Sequence, residues 1–182
     1  MKVEGFVKMD EGISDDSLET LVGDIVRYQS RDNSTMAALQ EHFTKLSGRE
    51  ATSVCGFSSK YKYSATCFVE GNFVIGAPEF VLRSDFARYE DYISNISNKG
   101  YRVLAIAKTS EVPNGGRLEA PARLLGLVFL DNPVRESAKE TFEYFAANGV
   151  EIKVISGDNP ETVSHVAMEA GIIGGDHYVD AR

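Results

Sequence analysis

Residues 57–79, FSSKYKYSATCFVEGNFVIGAPE, carry the pattern of a β-hairpin. Residues 64–69 are small, β-branched or aromatic, which is typical of a strand. Residues 70–72, Glu-Gly-Asn, supply turn chemistry, and residues 73–75 return as a second strand. The hairpin accounts for the middle of this segment, whereas its two ends, Phe-Ser-Ser and Gly-Ala-Pro, need another explanation.

The composition is that of an ordinary globular protein, with 43% hydrophobic and 25% charged residues in a chain of 182. A formal net charge of −8 argues against a nucleic-acid partner, because a surface that binds many phosphates needs a basic stripe. A nucleotide is compatible with this charge, since it needs only a few local cations and backbone amides. Cys55 and Cys67 are predicted to be buried apolar residues rather than a disulfide or a metal pair. No signal peptide and no apolar run near the roughly 20 residues of a membrane span is present, which predicts a cytosolic chain.

The first two-thirds of the chain predicts an α+β unit, an antiparallel sheet with flanking helices. Apolar residues recur on one face of residues 15–29, which predicts a helix. A second helix is predicted over residues 35–46, and a third over residues 84–99, with Ser84 as its candidate N-cap. Residues 101–107 then predict a strand.

The pattern changes after residue 110. Residues 124–130 and 151–155 are apolar and predict strands, and helices are predicted over residues 134–148 and 159–171. A strand–helix–strand–helix order with apolar strands is typical of a parallel sheet covered on both faces. The chain is therefore predicted to contain a second portion of α/β type, and the boundary between the two patterns falls near residues 120–130.

Ser156, Gly157 and Asp158 lie where the second apolar strand gives way to a helix. A helix N-terminus offers unpaired amides and a positive dipole, and a hydroxyl adds one more donor to a bound phosphate. A plain helix cap explains the same string, with Asp158 or Asn159 as the cap and Pro160 in the first turn. Taken alone, this short string favours the cap.

Three further features are candidates for ligand contact. Phe57 offers an aromatic face on which a base can stack, and Lys62 offers a cation beside it. Residues 76–78, Gly-Ala-Pro, form a bend whose lack of bulky side chains lets a ligand approach the backbone. Arg102 begins a strand and can clamp phosphate oxygens. Each feature alone is more simply explained as a core ring, a solvated cation, a turn or a surface ion pair.

Five motifs together give a more specific signal. They are FSSKYKYSAT (57–66), GAPEFVL (76–82), GYRVLAIA (100–107), DNPVRESAKETF (131–142) and KVISGDNPETV (153–163). In this order and spacing they resemble the cytoplasmic part of P-type cation-transporting ATPases, in wording most like bacterial pumps of the calcium-related type-II group. The resemblance covers nearly the whole chain.

The resemblance implies that residues 1–122 are the nucleotide-binding domain, with ATP as the ligand. Phe57 matches the aromatic residue on which adenine stacks, and Lys62 matches a lysine of the same pocket. Gly76 stands at the glycine of the family's Lys-Gly-Ala motif, and Arg102 matches the arginine that reaches the phosphates.

Residues 123–182 resemble the C-terminal part of the phosphorylation domain, an incomplete haloacid-dehalogenase-like fold. Ser156, Gly157 and Asp158 stand at the family's Thr-Gly-Asp, which implies that they hold the transferred phosphoryl group. Arg135 stands at the arginine of an Asp-Pro-x-Arg-like motif and is a further candidate for phosphate binding.

Four positions depart from the family's pattern. Ile75 replaces the lysine of Lys-Gly-Ala, and Met36 stands where many members have an acidic residue that contacts adenine. Ser59 stands where some have an arginine, and Asn132 where an aspartate is common. Because these changes remove charge, ATP is expected to bind the isolated chain with a dissociation constant on the order of 0.1–1 mM.

Two family motifs do not occur in the sequence: Asp-Lys-Thr-Gly-Thr, which contains the phosphorylated aspartate, and Gly-Asp-Gly-x-Asn-Asp, which holds Mg²⁺. The chain is therefore expected to be a cytoplasmic fragment of a multi-pass cell-membrane pump, with no catalytic residue or metal ligand of its own. The parent pump is expected to use ATP and Mg²⁺. Its phosphorylation, actuator and transmembrane domains are the expected partners, and calcium is the favoured ion, ahead of magnesium or another cation.

Two other functions compete with this interpretation. A haloacid-dehalogenase-like phosphatase, with residues 1–120 as a cap domain, needs an Asp-x-Asp or Asp-x-Thr nucleophile after a first strand, and no such string occurs in that setting. A non-catalytic interaction module that no longer binds ATP is supported by the departures at Met36 and Ile75.

Overall fold

A six-stranded antiparallel sheet forms the centre of the computed structural model, which describes residues 1–131, 133–157 and 160–179. The strands run in the spatial order β1-β6-β5-β4-β3-β2, so that β1 and β2 are the two edges. Every neighbouring pair is antiparallel. The strands are β1 Lys2–Lys8, β2 Ser53–Ser58, β3 Tyr63–Phe68, β4 Gly71–Gly76, β5 Arg102–Thr109 and β6 Arg123–Asp131.

Helices cover both faces of the sheet. The helices are α1 Asp15–Val26, α2 Ser34–His42, α3 Pro78–Leu82, α4 Glu90–Ser97, α5 Ala138–Ala147 and α6 Pro160–Glu169, with a 3-10 helix at Arg83–Arg88. Successive side chains of β4 lie on opposite faces of the sheet and pack in two different apolar cores. Phe73 and Ile75 pack in the core that contains α1 and α2, whereas Val74 packs in the core that contains α3 and α4.

The predicted hairpin is confirmed. β3 and β4 pair in continuous register from Tyr63 opposite Gly76 to Phe68 opposite Gly71. The connecting turn is formed by Val69 and Glu70, one residue earlier than predicted, and the chain re-enters the sheet at Gly71 with a φ of +149°. This φ lies in the region that favours glycine, which explains the residue at this position.

The predicted helix near the N-terminus is also confirmed, and its whole apolar face is buried. The buried residues of that face are Leu18, Leu21, Val22, Ile25 and Val26. Ser14, just before the helix, caps it by accepting a hydrogen bond from the amide of Ser17 at 3.1 Å.

The single helix predicted over residues 84–99 is wrong, because the structure divides it. A 3-10 helix covers the first half, and α4 begins only at Glu90. Ser84 lies inside the 3-10 helix and caps neither element. Apolar residues of this segment nevertheless pack inward: Ile93 is buried in the second core, and Phe86 packs against that core.

The structure corrects the predicted strands of the C-terminal portion. Residues 124–130 do form a strand, but this strand is β6, which lies antiparallel between β1 and β5 in the main sheet. An apolar run indicates burial on both faces and does not indicate strand direction, and β1 was not predicted. Residues 123–131 therefore belong to the same sheet as residues 1–122, whereas the assignment of the residues beyond β6 to a phosphorylation domain stays a prediction.

The second strand of that portion, predicted over residues 151–155, is not formed, and these residues have no regular secondary structure. Ile155 is 97% exposed and Val154 is also exposed. An apolar segment without a neighbouring strand has no ladder to join. The two helices predicted on either side of it are confirmed as α5 and α6. Nowhere in the described ranges is a helix both long and apolar enough to cross a bilayer.

Candidate functional site

The four residues that the sequence predicts for nucleotide binding line one cavity of about 230 Å³. Phe57, Lys62, Gly76 and Arg102 come from three strands and a turn, so the topology of the sheet brings them together. The remaining wall consists of the cap and first turns of α2, of residues on β3, β4 and β5, and of Ala77 between β4 and α3. These wall residues are Asn33, Ser34, Thr35, Met36, Leu39, Ser64, Ile75, Ala77, Val103 and Leu104.

Phe57 lies near the end of the edge strand β2, and it is 52% exposed. The pairing of β2 with β3 is irregular between Cys55 and Ser58, where the strand register shifts. A bulge of this kind redirects side chains at a sheet edge. Phe57 is therefore not a core residue, and its ring is accessible at the mouth of the cavity.

Lys62 is held by its backbone in a tight turn between β2 and β3. Its amide donates to the carbonyl of Ser58 at 2.6 Å, and its carbonyl accepts from the amide of Ala77 at 2.8 Å. Its φ of +54° lies in the left-handed region, which costs a side-chain-bearing residue free energy. The turn therefore fixes the origin of the Lys62 side chain at the cavity wall.

Gly76 is required by packing rather than by open access to the backbone. A Cβ at this position would lie 2.4 Å from the carbonyl oxygen of Lys62 and 2.5 Å from Cβ of Tyr63. The absence of a side chain thus lets β4 run directly against the turn that carries Lys62. Gly76 lines the cavity, its packing gives a structural reason for the glycine, and its role in nucleotide binding stays a prediction.

Arg102, half-buried at the start of β5, connects this cavity to a second one of about 280 Å³. Ala77, Arg102 and Val103 line both cavities. Thr162 and Val166 of α6 complete the second cavity. Arg102 therefore lies between the cavity that contains Phe57 and the first turn of α6.

Three of the predicted phosphate-binding residues are described by the structure, and these three lie outside the first cavity. Ser156 and Gly157 are exposed residues before α6, and Asp158 lies outside the described residues. Arg135 is exposed before α5, where its carbonyl accepts a hydrogen bond from the amide of Ala138 at 2.8 Å. Ser156, Gly157 and Arg135 line neither cavity.

The departures from the family's pattern make the cavity wall apolar. Met36 and Ile75 are both buried and both contribute to the wall. Ser59 lies in the turn before Lys62 and is not part of the wall, and Asn132 lies outside the described residues. Among the described residues of the wall, Lys62 and Arg102 carry a formal charge, and none is a carboxylate.

Sequence reasoning missed the polar residues of the wall. Asn33 caps α2, since its Oδ1 accepts from the amide of Met36 at 2.8 Å. The Asn-Ser-Thr string before an apolar helix is a recognisable cap signal, so this site element had a detectable pattern. Ser64, by contrast, is a serine inside a strand, and no local pattern marks it. Its importance follows only from its position at the cavity.

The structure offers no resident metal site in the part of the chain it describes. There, no three His, Cys, Asp or Glu side chains are grouped so that they could hold an ion. The two thiols also differ from metal ligands, because burial raises the pKa of both Cys55 and Cys67 and so disfavours the thiolate.

Comparison of the sequence with known proteins finds relatives that align along the whole chain. No protein-family model matches the chain. The calcium-transporting ATPase CtpE of Mycolicibacterium smegmatis is 35% identical over 186 residues, which cover 100% of this chain and 22% of that protein. The probable cation-transporting ATPase exp7 of Streptococcus pneumoniae is 30% identical over 183 residues, or 99% of this chain and 23% of that protein. The chain thus spans under a quarter of the length of these relatives.

The fold agrees with the sequence relatives. The crystal structure of a zinc-transporting PIB-type ATPase in its E2.Pi state superimposes with a TM-score of 0.53 at 17% identity, covering 94% of this chain and 25% of that one. At this identity the match concerns the fold alone. Two sequence relatives align along essentially the whole chain, and the fold agrees with them. The chain therefore belongs to the P-type cation-transporting ATPases.

Proposed function

We propose that this chain is the ATP-binding part of a membrane pump that couples ATP hydrolysis to cation transport. The observation that carries the proposal is the cavity whose wall joins Phe57, Lys62, Gly76 and Arg102. These residues come from three strands and a turn, and each has a distinct role in holding a nucleotide.

The apolar part of the cavity suits a purine base. The exposed ring of Phe57 stands at the mouth, and the side chains of Met36, Leu39 and Ile75 form a buried wall. Planar bases gain free energy by stacking on aromatic rings and by leaving water. The base therefore occupies the space between Phe57 and this wall.

The cationic part suits the phosphates. At about 230 Å³ the cavity is smaller than the roughly 300–1,000 Å³ of pockets that enclose a drug-sized ligand, so it accommodates only the base end of ATP. The phosphates then extend past Arg102, which also lines the second cavity beside α6. In the complete pump, Ser156, Gly157, Asp158 and Arg135 hold the transferred phosphoryl group.

The rest of the pump supplies the chemistry. Phosphoryl transfer to an aspartate requires a nucleophile, and the motif that contains it does not occur in this sequence. The parent pump uses Mg²⁺ with ATP, but the part of the cavity wall that the structure describes has no carboxylate and does not fit a magnesium site. This chain therefore binds and orients ATP, and it does not turn ATP over.

The proposed setting is the cytoplasmic face of a multi-pass cell-membrane protein. The partners are the phosphorylation, actuator and transmembrane domains of the same pump, and no nucleic acid takes part. Calcium is the proposed ion because the relative from Mycolicibacterium smegmatis is named a calcium-transporting ATPase. Magnesium or another cation is the alternative.

An ATP titration of the isotope-labelled chain tests the proposal. Amide resonances of Phe57, Lys62, Gly76 and Arg102 are expected to shift, with a dissociation constant on the order of 0.1–1 mM. Phe57→Ala is expected to weaken binding by roughly tenfold, which corresponds to the loss of one base–aromatic stack. Val69→Ala, at the exposed turn on the far end of the hairpin, is the matched control and leaves the affinity unchanged.

A second function follows if the titration fails. Shifts confined to the residues around the start of α6 would contradict base binding at Phe57. A flat calorimetric titration with ATP at several millimolar would instead favour the non-catalytic interaction module, whose support is the apolar wall at Met36 and Ile75.

A further inference from the structure

A cavity of about 690 Å³ is lined by α3, by the loop before β6 and by the turn before β3, and it is separate from the candidate nucleotide site. Tyr63 of β3 lines this cavity, whereas the next residue, Ser64, lines the nucleotide cavity. Because successive side chains of a strand lie on opposite faces of a sheet, the two cavities lie on opposite faces as well. We infer that this cavity, called the α3 cavity below, binds a small molecule that carries a single anionic group on an aromatic body.

The size and the aromatic wall of the α3 cavity suit a planar apolar body. Its volume is within the roughly 300–1,000 Å³ of pockets that enclose a small organic ligand. Tyr63 and Leu118 are only 1% and 2% exposed, and the Tyr63 hydroxyl donates to the carbonyl of Gly116 at 2.6 Å, which holds the loop to the sheet. Tyr61 and the exposed Phe80 also line the cavity. An aromatic ligand gains free energy by packing against such rings and by leaving water.

Two exposed cations of the α3 cavity are available to an anion. Lys60 and Arg117 both line the cavity, and neither forms an ion pair within the described ranges. Nζ of Lys60 lies 5.2 Å from the centre of the Tyr61 ring, so a positive charge stands directly beside an aromatic surface. A ligand that fits this arrangement has an anionic group next to a ring.

Arg83, a third cation of the α3 cavity, gives an independent indication of a ligand. Its φ of +53° lies in the left-handed region, as does that of Lys62 at the nucleotide cavity. Its Nη1 donates to the carbonyls of Leu118 and Glu119, which fixes the guanidinium against the loop. Its Nε is buried and has no hydrogen-bond partner among the residues that the structure describes. Both the backbone strain and the unpaired donor cost free energy, and such costs are concentrated at ligand sites.

Two carboxylates limit the charge of the expected ligand. Glu79 and Glu119 are exposed residues that also line the α3 cavity. Their charges repel a polyanion such as a triphosphate, whereas Lys60 and Arg117 can hold a single sulfonate or carboxylate group. The ligand class is therefore an aromatic monoanion, and ATP is expected to leave this cavity free.

Titration of the isotope-labelled chain with naphthalene-2-sulfonate tests the inference. Amide resonances of Tyr61, Phe80, Arg83 and Arg117 are expected to shift and to saturate. Naphthalene-2-methanol, which has the same rings without the charge, is expected to bind at least about threefold more weakly. Saturating ATP is expected to change the sulfonate affinity by less than about twofold, because the two cavities lie on opposite faces of the sheet. The absence of saturable shifts, equal binding of the two naphthalenes, or displacement of the sulfonate by ATP would each overturn the inference.

Substitution of the exposed cations provides the matched comparison. Arg117→Gln and Lys60→Gln are each expected to weaken binding of naphthalene-2-sulfonate by about three- to fivefold, the effect of one solvent-exposed charge pair. Lys99→Gln, which removes an exposed cation outside the α3 cavity, is the control and leaves the affinity unchanged. Thermal unfolding of each variant confirms that it is folded. An unchanged sulfonate affinity in folded Arg117→Gln and Lys60→Gln variants would overturn the inference.

Discussion

Position 76 requires glycine, because β4 packs directly against the turn that carries Lys62. Gly76→Ala is expected to destabilise the chain by about 1–3 kcal/mol, since the new Cβ would lie 2.4 Å from the Lys62 carbonyl oxygen. ATP affinity is expected to fall as well, because the turn must move and Lys62 moves with it. Chemical denaturation and the ATP titration measure the two effects.

A matched control for that substitution exists on β2. Gly56 has no atom within 4 Å of an added Cβ, so Gly56→Ala is expected to change the free energy of unfolding by less than about 0.5 kcal/mol. If Gly76→Ala matched Gly56→Ala in both stability and ATP affinity, the packing role of Gly76 would be contradicted.

Asp10 links the acid stability of the chain to the loop before α1. Its carboxylate accepts from the amide of Gly12 at 2.8 Å and pairs with Arg123. The pKa of Asp10 is held below its ordinary value of 3.8, mainly by the hydrogen bond from Gly12 and to a lesser degree by Arg123. A lowered pKa means that the folded chain favours the ionised form. The resulting stabilisation is present above that ordinary value and is lost as the pH falls through the lower pKa of the folded state.

Asp10→Asn is therefore expected to lower stability at neutral pH, and its difference from the natural chain is expected to shrink as the pH falls below about 4. Urea unfolding at a series of pH values measures this. Arg123→Met should retain most of the pH dependence, because the Gly12 amide remains. A constant difference between Asp10→Asn and the natural chain across the acid range would contradict the assignment.

At the scale of single elements, sequence periodicity predicted the helices and strands whose formation depends on neighbouring residues. The apolar face of α1, the hairpin of β3 and β4, and the strand β5 all follow from patterns within a few residues. The direction of β6 and the existence of β1 do not, because strand pairing depends on residues more than a hundred positions away. An apolar run reports burial, and it carries no information about which strand lies beside it.

Two isoleucines distinguish β5, which forms as predicted, from residues 151–155, which do not form the predicted strand. Ile106, on β5, is fully buried, whereas Ile155, in the predicted but absent strand, is 97% exposed. Ile106→Ala is expected to cost about 2–5 kcal/mol of unfolding free energy, and Ile155→Ala less than about 0.5 kcal/mol. Chemical denaturation of the two variants measures the difference. Equal losses would mean that residues 151–155 pack as a strand after all.

At the scale of the whole molecule, four residues that the resemblance selects for nucleotide binding line one cavity, and their binding role stays a prediction. Phe57, Lys62, Gly76 and Arg102 were each ambiguous alone, and the fold brings them to one place. Ser64 was not predicted, because a serine in a strand has no chemical signature until the sheet places it against a cavity. The places of Ser156 and Arg135 relative to a bound nucleotide stay predictions.

The proposed function, binding of ATP without its hydrolysis, leads to a prediction about turnover. With ATP and Mg²⁺ present, the chain is expected to release no phosphate above the buffer rate, because its sequence lacks the Asp-Lys-Thr-Gly-Thr motif. A coupled phosphate assay measures this, and the ATP titration shows that nucleotide is bound under the same conditions. Saturable release of phosphate would favour the phosphatase alternative instead.

The ring proposed to hold the base belongs to β2, which has a neighbouring strand on one side only. Segments with few partners open locally at a lower free energy than the centre of a sheet. A bound nucleotide is therefore expected to slow deuterium uptake by the amides of the edge strand β2. The amides of β5 and β6, which have a neighbouring strand on both sides, are expected to change little.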